Sequence, residues 1–170
     1  DFKILANQVF CGSDDLNDII LPISFDETKE ASKMNIATRL SALNFLDNGG
    51  AIGVFPGGTV STSQRPFGVP MDPGWRSFTA KMITRSDAQV VPIFFEGHNS
   101  RLFQVASHIH YNLRMGLLIK EFKSKVGNPV KIAIGNPLSD TAIKSRSGNP
   151  RILMDFLREE TYKLSRTPLD

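Results

Sequence analysis

Short, nearly uniform apolar runs alternate with longer helix-patterned segments, and this alternation restricts the fold more than any other feature of the chain. Residues 51–55, 89–95 and 130–134 each read as a buried strand, and residues 2–5 and 19–23 are further strand-like runs. Between residues 29 and 46, Ala31, Met34, Ala37, Leu40, Leu43 and Leu46 recur every third position, the stripe of an amphipathic helix. Asn48, Gly49 and Gly50 then end it, as glycine does after a helix. Residues 75–85, 100–106 and 150–164 read as further helices. In the last of these, Ile152, Leu153, Phe156, Leu157 and Leu164 are expected on the buried face. The pattern predicts an α/β fold, with a largely parallel mixed sheet covered by helices on both faces, in a single domain over residues 1–170.

Composition narrows the function classes. With 41% hydrophobic residues and 20 basic against 17 acidic side chains, the chain is not of the disordered type. Cys11 stands alone, so no disulfide scaffold forms within the chain. No apolar run approaches the roughly 20 residues of a membrane span, and no signal peptide is visible. These features point to the cytoplasm. The net charge of +3 is spread along the chain, which argues against nucleic acid and suits weak attraction to anionic lipid head groups or an acidic carrier protein. No His, Cys, Asp or Glu grouping has metal-ligand spacing, so no metal site is expected.

Ligands of α/β sheets sit beyond the carboxyl ends of strands, which singles out two segments. The first runs from Phe55 and Pro56 through Gly57, Gly58, Thr59, Val60 and Ser61 to Ser63. Its glycines permit close approach of backbone N–H groups to an anion, and its hydroxyls add donors. It is neither a P-loop nor a hydrolase nucleophile elbow, and an ordinary turn-rich loop has the same composition. The second segment carries Glu96, His98, Asn99, Ser100 and Arg101. Arg101 suits a phosphate or carboxylate, and Glu96 with His98 suits acid–base work. The same residues also read as a helix cap with a solvated arginine. Residues 111–125 mix Leu113, Met115, Leu117, Leu118, Ile119 and Phe122 with Arg114, Lys120, Lys123 and Lys125. This stretch fits a membrane surface, an acyl groove or a core helix with a solvated basic end.

In order along the chain, these segments resemble the glycerolipid acyltransferases of the lysophosphatidic acid acyltransferase type. Phe55-Pro56-x-Gly58-x-x-Ser61 is similar to that family's third block, Val91-Pro92-Ile93 to its fourth, and residues 20–23 fall where its second would lie. The runs Lys3-Ile4-Leu5-Ala6-Asn7-Gln8 and Phe95-Glu96-Gly97-His98-Asn99-Ser100-Arg101-Leu102-Phe103 resemble the bacterial hemolysin-like branch, which includes lyso-ornithine lipid acyltransferases.

The resemblance implies transfer of a fatty acyl group from acyl-CoA or acyl carrier protein to a lipid hydroxyl. These are substrates, and no resident cofactor is implied. The family's base is a His followed five positions later by an orienting Asp. Here the positions five after His98, His108 and His110 hold Phe103, Leu113 and Met115, so no catalytic residue is assigned. In the family that motif precedes the segment resembling residues 3–8, and the chain opens at Asp1 inside a strand-like run. The expectation is an acyltransferase domain lacking its N-terminal catalytic segment and inactive alone.

Gly57 and Val60 replace the Glu and Arg usual in the third block, and the second block's Arg is absent too. That argues against a glycerol-phosphate acceptor and towards another lysolipid-like one, with Arg101 in position to supply a compensating charge. The implied substrate-binding residues are Phe55, Pro56, Gly57, Gly58, Thr59, Ser61, Asn99 and Arg101, working at the inner membrane surface. The rivals are a non-catalytic lipid-binding module of the same fold, and a serine hydrolase using Ser61 or Ser63.

Overall fold

The computed structural model describes residues 1–8, 11, 16 and 18–166. The chain divides into two compact units: Asp1–Pro56, Arg76–Val90 and Ser139–Leu153 form the first, and Gly57–Trp75, Val91–Leu138 and Met154–Asp170 the second.

The first unit is built on a parallel three-stranded sheet. Strand β1 (Phe2–Asn7) lies between β2 (Ile20–Ile23) and β3 (Ala51–Val54). The register sets Leu5 opposite both Leu21 and Val54, and Lys3 opposite Ile52. Because side chains alternate along a strand, Leu5, Leu21, Ile23, Ile52 and Val54 share one face. That face meets the helices α1 (Lys29–Asp47) and α2 (Phe78–Ile83) in a core of Leu5, Leu21, Ala42 and Met82, flanked by Leu43, Leu46 and Phe78. Two side-chain contacts fix α1 on the sheet. Thr38 Oγ1 donates to Pro22 O at 2.6 Å, and the Asn35 amide clamps both backbone groups of Ser24. Thr28 caps the helix by accepting from Ala31 N, as N-cap threonines do.

The stripe predicted for α1 holds at Ala31, Leu43 and Leu46 and is corrected at Ala37 and Leu40. Its buried residues are Ala31, Thr38 and Ala42, and Leu40 is 61% exposed. A spacing of three falls short of a helical turn by about 60° at each step, so Leu40 ends about 180° from Ala31. Positions seven and eleven after Ala31 return to its azimuth, and those are Thr38 and Ala42.

The second unit holds two antiparallel ladders. Strand β4 (Thr62–Ser63) pairs with β5 (Pro70–Met71), and β6 (Ile93–Phe95) with β7 (Ile132–Ile134). Helices α3 (Arg101–Ile109) and α4 (Tyr111–Lys125) lie between β6 and β7 in sequence. Helix α5 (Asp140–Lys144) belongs to the first unit, and α6 (Pro150–Tyr162) begins there and continues into the second.

The α/β class holds, while the described residues form ladders of three, two and two strands in place of one large sheet covered on both faces. Parallel pairing is confined to the first unit. The long strand expected at residues 89–95 shrinks to three residues, with Ile93 and Phe95 exposed. Pro92 has no N–H to donate and contributes only its carbonyl, which accepts from Gly135 N. Within α6, Leu153, Met154 and Leu157 are buried and Ile152 is half exposed, so Met154 takes the place expected of Ile152.

The azimuths of α1 give a direct check. Ala42→Leu should destabilise the protein by about 1–3 kcal/mol through overpacking. Leu40→Gln should stay within about 0.5 kcal/mol. Urea unfolding of both variants measures the contrast, and the reverse order would refute the assigned face.

Candidate functional site

Asp72 organises the segment after β3. Its carboxylate accepts from Ser61 Oγ at 2.5 Å on one oxygen and from Trp75 Nε1 at 3.0 Å on the other. Its backbone is held as well: Asp72 N donates to Tyr162 OH at 2.8 Å, and Arg158 Nη2 donates to Asp72 O at 2.8 Å. Loop 57–61 is therefore tied to β5 and to α6. Gly57 is buried, and a Cβ there would lie 3.3 Å from Asp72 Cγ and Oδ2. Gly58 has φ of 65°, a conformation that side-chain-bearing residues seldom adopt. The two glycines thus have separate reasons: one for space beside a carboxylate, the other for backbone shape.

Arg114, on α4, reaches the same loop. Its Nη2 donates to Thr59 Oγ1 at 3.2 Å and to Val60 O at 3.4 Å, and its guanidinium lies 5.8 Å from the Phe103 ring centroid. Among the described residues no carboxylate forms an ion pair with it. Charge-assisted donors of this kind are the usual partners of carboxylates and phosphates. Arg101 is used elsewhere: its Nη1 donates to Phe67 O and Gly68 O, at the turn between β4 and β5.

The hairpin is anchored from beneath by Gln104, fully buried on α3, whose Oε1 accepts from Ser63 N at 2.9 Å. Asn99 is buried and accepts from Lys125 Nζ at 2.7 Å. Ser100 caps α3, accepting from Phe103 N, and its own hydroxyl and N–H both donate to Glu121. Desolvation raises the Glu121 pKa, but these two bonds and the charges of Lys125 and Lys120 outweigh it and hold the carboxyl below its usual value. Tyr162 is shifted upward, chiefly because burial disfavours the phenolate. A concavity of about 480 Å3 is lined by Met71, Asp155, Arg158, Glu159, Tyr162 and Lys163. Its walls carry both signs of charge, so it selects no single kind of ion.

Of the residues singled out in the sequence, Gly57, Gly58, Thr59 and Ser61 come together with Asp72 and Arg114. Phe55 and Pro56 belong to the first unit. Asn99 and Arg101 support the surroundings of α3. Glu96 and His98 are not bonded to each other: Glu96 lies 3.7 Å from Arg166 Nε, and His98 Nδ1 lies 2.9 Å from Asn99 O. Among the described residues no histidine ring bonds Ser61 or Ser63, which leaves the serine hydrolase reading without a base. Nor do the described residues contain a metal-binding group of three or more ligands.

The contacts of Asp72 and Arg114 with the loop, and of Tyr162 with Asp72, escape a reading of the sequence because they span 11, 55 and 90 positions, across turns of no fixed length. Asp72 carried one signal, its place before Pro73-Gly74, which reads as a turn.

Replacing Asp72 with Ala should destabilise the protein by about 2 kcal/mol or more, since it strands two donors. Trp75 is the single tryptophan, so its emission reports the lost Nε1 bond directly. Unchanged emission with unchanged stability would show that Asp72 does not organise the loop.

A family model described as Acyltransferase matches residues 1–170. No curated protein and no solved structure matches the chain.

Proposed function

The chain belongs to an acyltransferase family, and we propose that it serves the transfer of a fatty acyl group to the hydroxyl of a lysolipid-like acceptor at the inner membrane surface. The acyl donor is acyl-CoA or acyl carrier protein. In this reading, loop 57–61 holds the acceptor's polar end, and the branch it fits is the bacterial hemolysin-like one of phospholipid-type lipid metabolism.

The observation that carries the reading is the delivery of Arg114 to Thr59 and Val60. Position 60 is where the resemblance expects an arginine, and the chain has valine. A cation arrives at the same loop from α4 instead, beside a glycine of positive φ and two hydroxyl side chains. This combination suits an oxyanion or a polar head group. Asn99 and Arg101 act one layer out, through Lys125 and through the Phe67–Gly68 carbonyls.

In such a transfer the acceptor oxygen attacks the thioester carbonyl. The new C–O bond forms, the C–S bond breaks, and the acceptor's proton passes to a base while the thiol leaves. The family's His-x4-Asp base does not occur in these 170 residues. The chain by itself should therefore hold acceptor without turning over. The second reading is a lipid-binding module of the same fold that does no chemistry.

Two measurements test the binding role of the loop and the requirement for the base. Calorimetry with a short-chain lysolipid below its micelle concentration should show binding, weakened about tenfold by Arg114→Met, the loss of one charge-assisted contact. Unaltered affinity in that variant would remove the loop from the site. Thiol release from acyl-CoA should stay at background, and turnover by this chain would overturn the requirement for the missing base.

A further inference from the structure

Helix α4 packs on its unit along the side of Arg114, Leu117, Leu118 and Glu121 and leaves an apolar strip in solvent. No residue of α4 is buried. At about 100° per residue, Tyr111, Met115, Ile119 and Phe122 fall within an arc of about 80°, and Val126 continues the line at the C-cap. Their exposures are 69%, 41%, 62%, 71% and 65%. About 100° around the helix, Arg114 bonds loop 57–61, Glu121 bonds Ser100 and Lys125 bonds Asn99. The helix is therefore held by these polar bonds together with the part-buried Leu117 and Leu118, and the strip from Tyr111 to Val126 is left facing solvent.

We infer that this face of α4 is the surface by which the protein lies on an anionic lipid bilayer. The apolar line from Tyr111 to Phe122 is about 17 Å long, enough to seat a helix in the head-group region. Lys123 and then Lys120 follow it on one side with no bond to the rest of the unit among the described residues. On the other side Arg114, Lys125 and Glu121, the helix's single acidic residue, are turned to loop 57–61, Asn99 and Ser100. Lysines beside an apolar stripe reach up to lipid phosphates while their stems stay in the apolar layer. The same basic rim counts against pairing with a second copy, since that would bring lysines against lysines. It also attracts an acidic protein, but five large apolar side chains in line exceed what a mainly ionic contact uses. The inference rests on the proposed function for the purpose of membrane contact, and it adds the face that makes it.

The test uses the chain with vesicles and no acyl donor, so a failure of acyl transfer does not enter it. The protein should sediment with vesicles of phosphatidylcholine containing about 30 mol% phosphatidylglycerol, less with pure phosphatidylcholine, and less as salt is raised. The double variant Ile119→Asp/Phe122→Asp should lower the partition coefficient at least about tenfold with an unchanged circular dichroism spectrum, both sites being exposed. Phe122→Trp should add emission that shifts to the blue on anionic vesicles. Absence of binding would overturn the inference, as would binding with no shift of that emission. So would a concentration-dependent dimer abolished by the double variant, or binding of an acidic protein in place of vesicles.

Discussion

The carboxylate of Asp72 holds the second unit's candidate site in its shape. It takes hydrogen bonds from Ser61 and Trp75, and its own backbone is gripped by Tyr162 and Arg158. Hydrogen bonds to a charged acceptor contribute about 1.5–3 kcal/mol each. Two such bonds on the carboxylate, with two more on the backbone of the same residue, give a loop of glycines and small hydroxylated residues the rigidity that its composition lacks. Gly57 is a consequence of the same group, because a side chain there would stand against the Asp72 carboxylate. The loop then offers Gly58 with its positive φ, and Thr59 and Val60 with Arg114 upon them.

Polar contacts tie the elements of this unit to one another. Gln104 fastens the β4–β5 hairpin, Glu121 fastens the cap of α3, Lys125 fastens Asn99, and Arg114 fastens loop 57–61. The same unit buries Phe103, Ala106, Met154 and Leu157, and the first unit is built around Leu5, Leu21, Ala42 and Met82. With Arg114, Glu121 and Lys125 turned to the unit, α4 leaves the strip from Tyr111 to Phe122 for another medium, and Lys120 and Lys123 beside it fit that medium being an anionic surface.

Elements defined by local pattern were legible in the sequence. Helix α1, strands β1 and β3, the cap at Ser100 and the glycine loop all follow from spacing or from residue type at a turn. The face of α1 was misread at Ala37 and Leu40 because a three-residue repeat resembles a helical period over two turns and departs from it over five. The β4–β5 hairpin has two residues per strand, too few to show alternation. The length of β6 was overestimated because a run of apolar residues carries no mark of which N–H groups find partners. The loop's composition announced a site, but its organiser and its cation did not appear. Asp72 reads locally as part of a turn and Arg114 as one charge on an amphipathic helix, and only the folded chain brings them to Ser61 and Thr59.

The central claim is that loop 57–61 and Arg114 together hold the polar end of a lysolipid-like acceptor. Amide and arginine side-chain NMR shifts, followed while a short-chain lysolipid is titrated into the isotopically labelled chain, test it most directly. The account predicts saturable shifts at Gly57, Gly58, Thr59, Ser61 and the Arg114 side chain, with smaller ones at Asp72. Shifts centred on Glu96 to Arg101, or saturation with loop 57–61 unmoved, would contradict it.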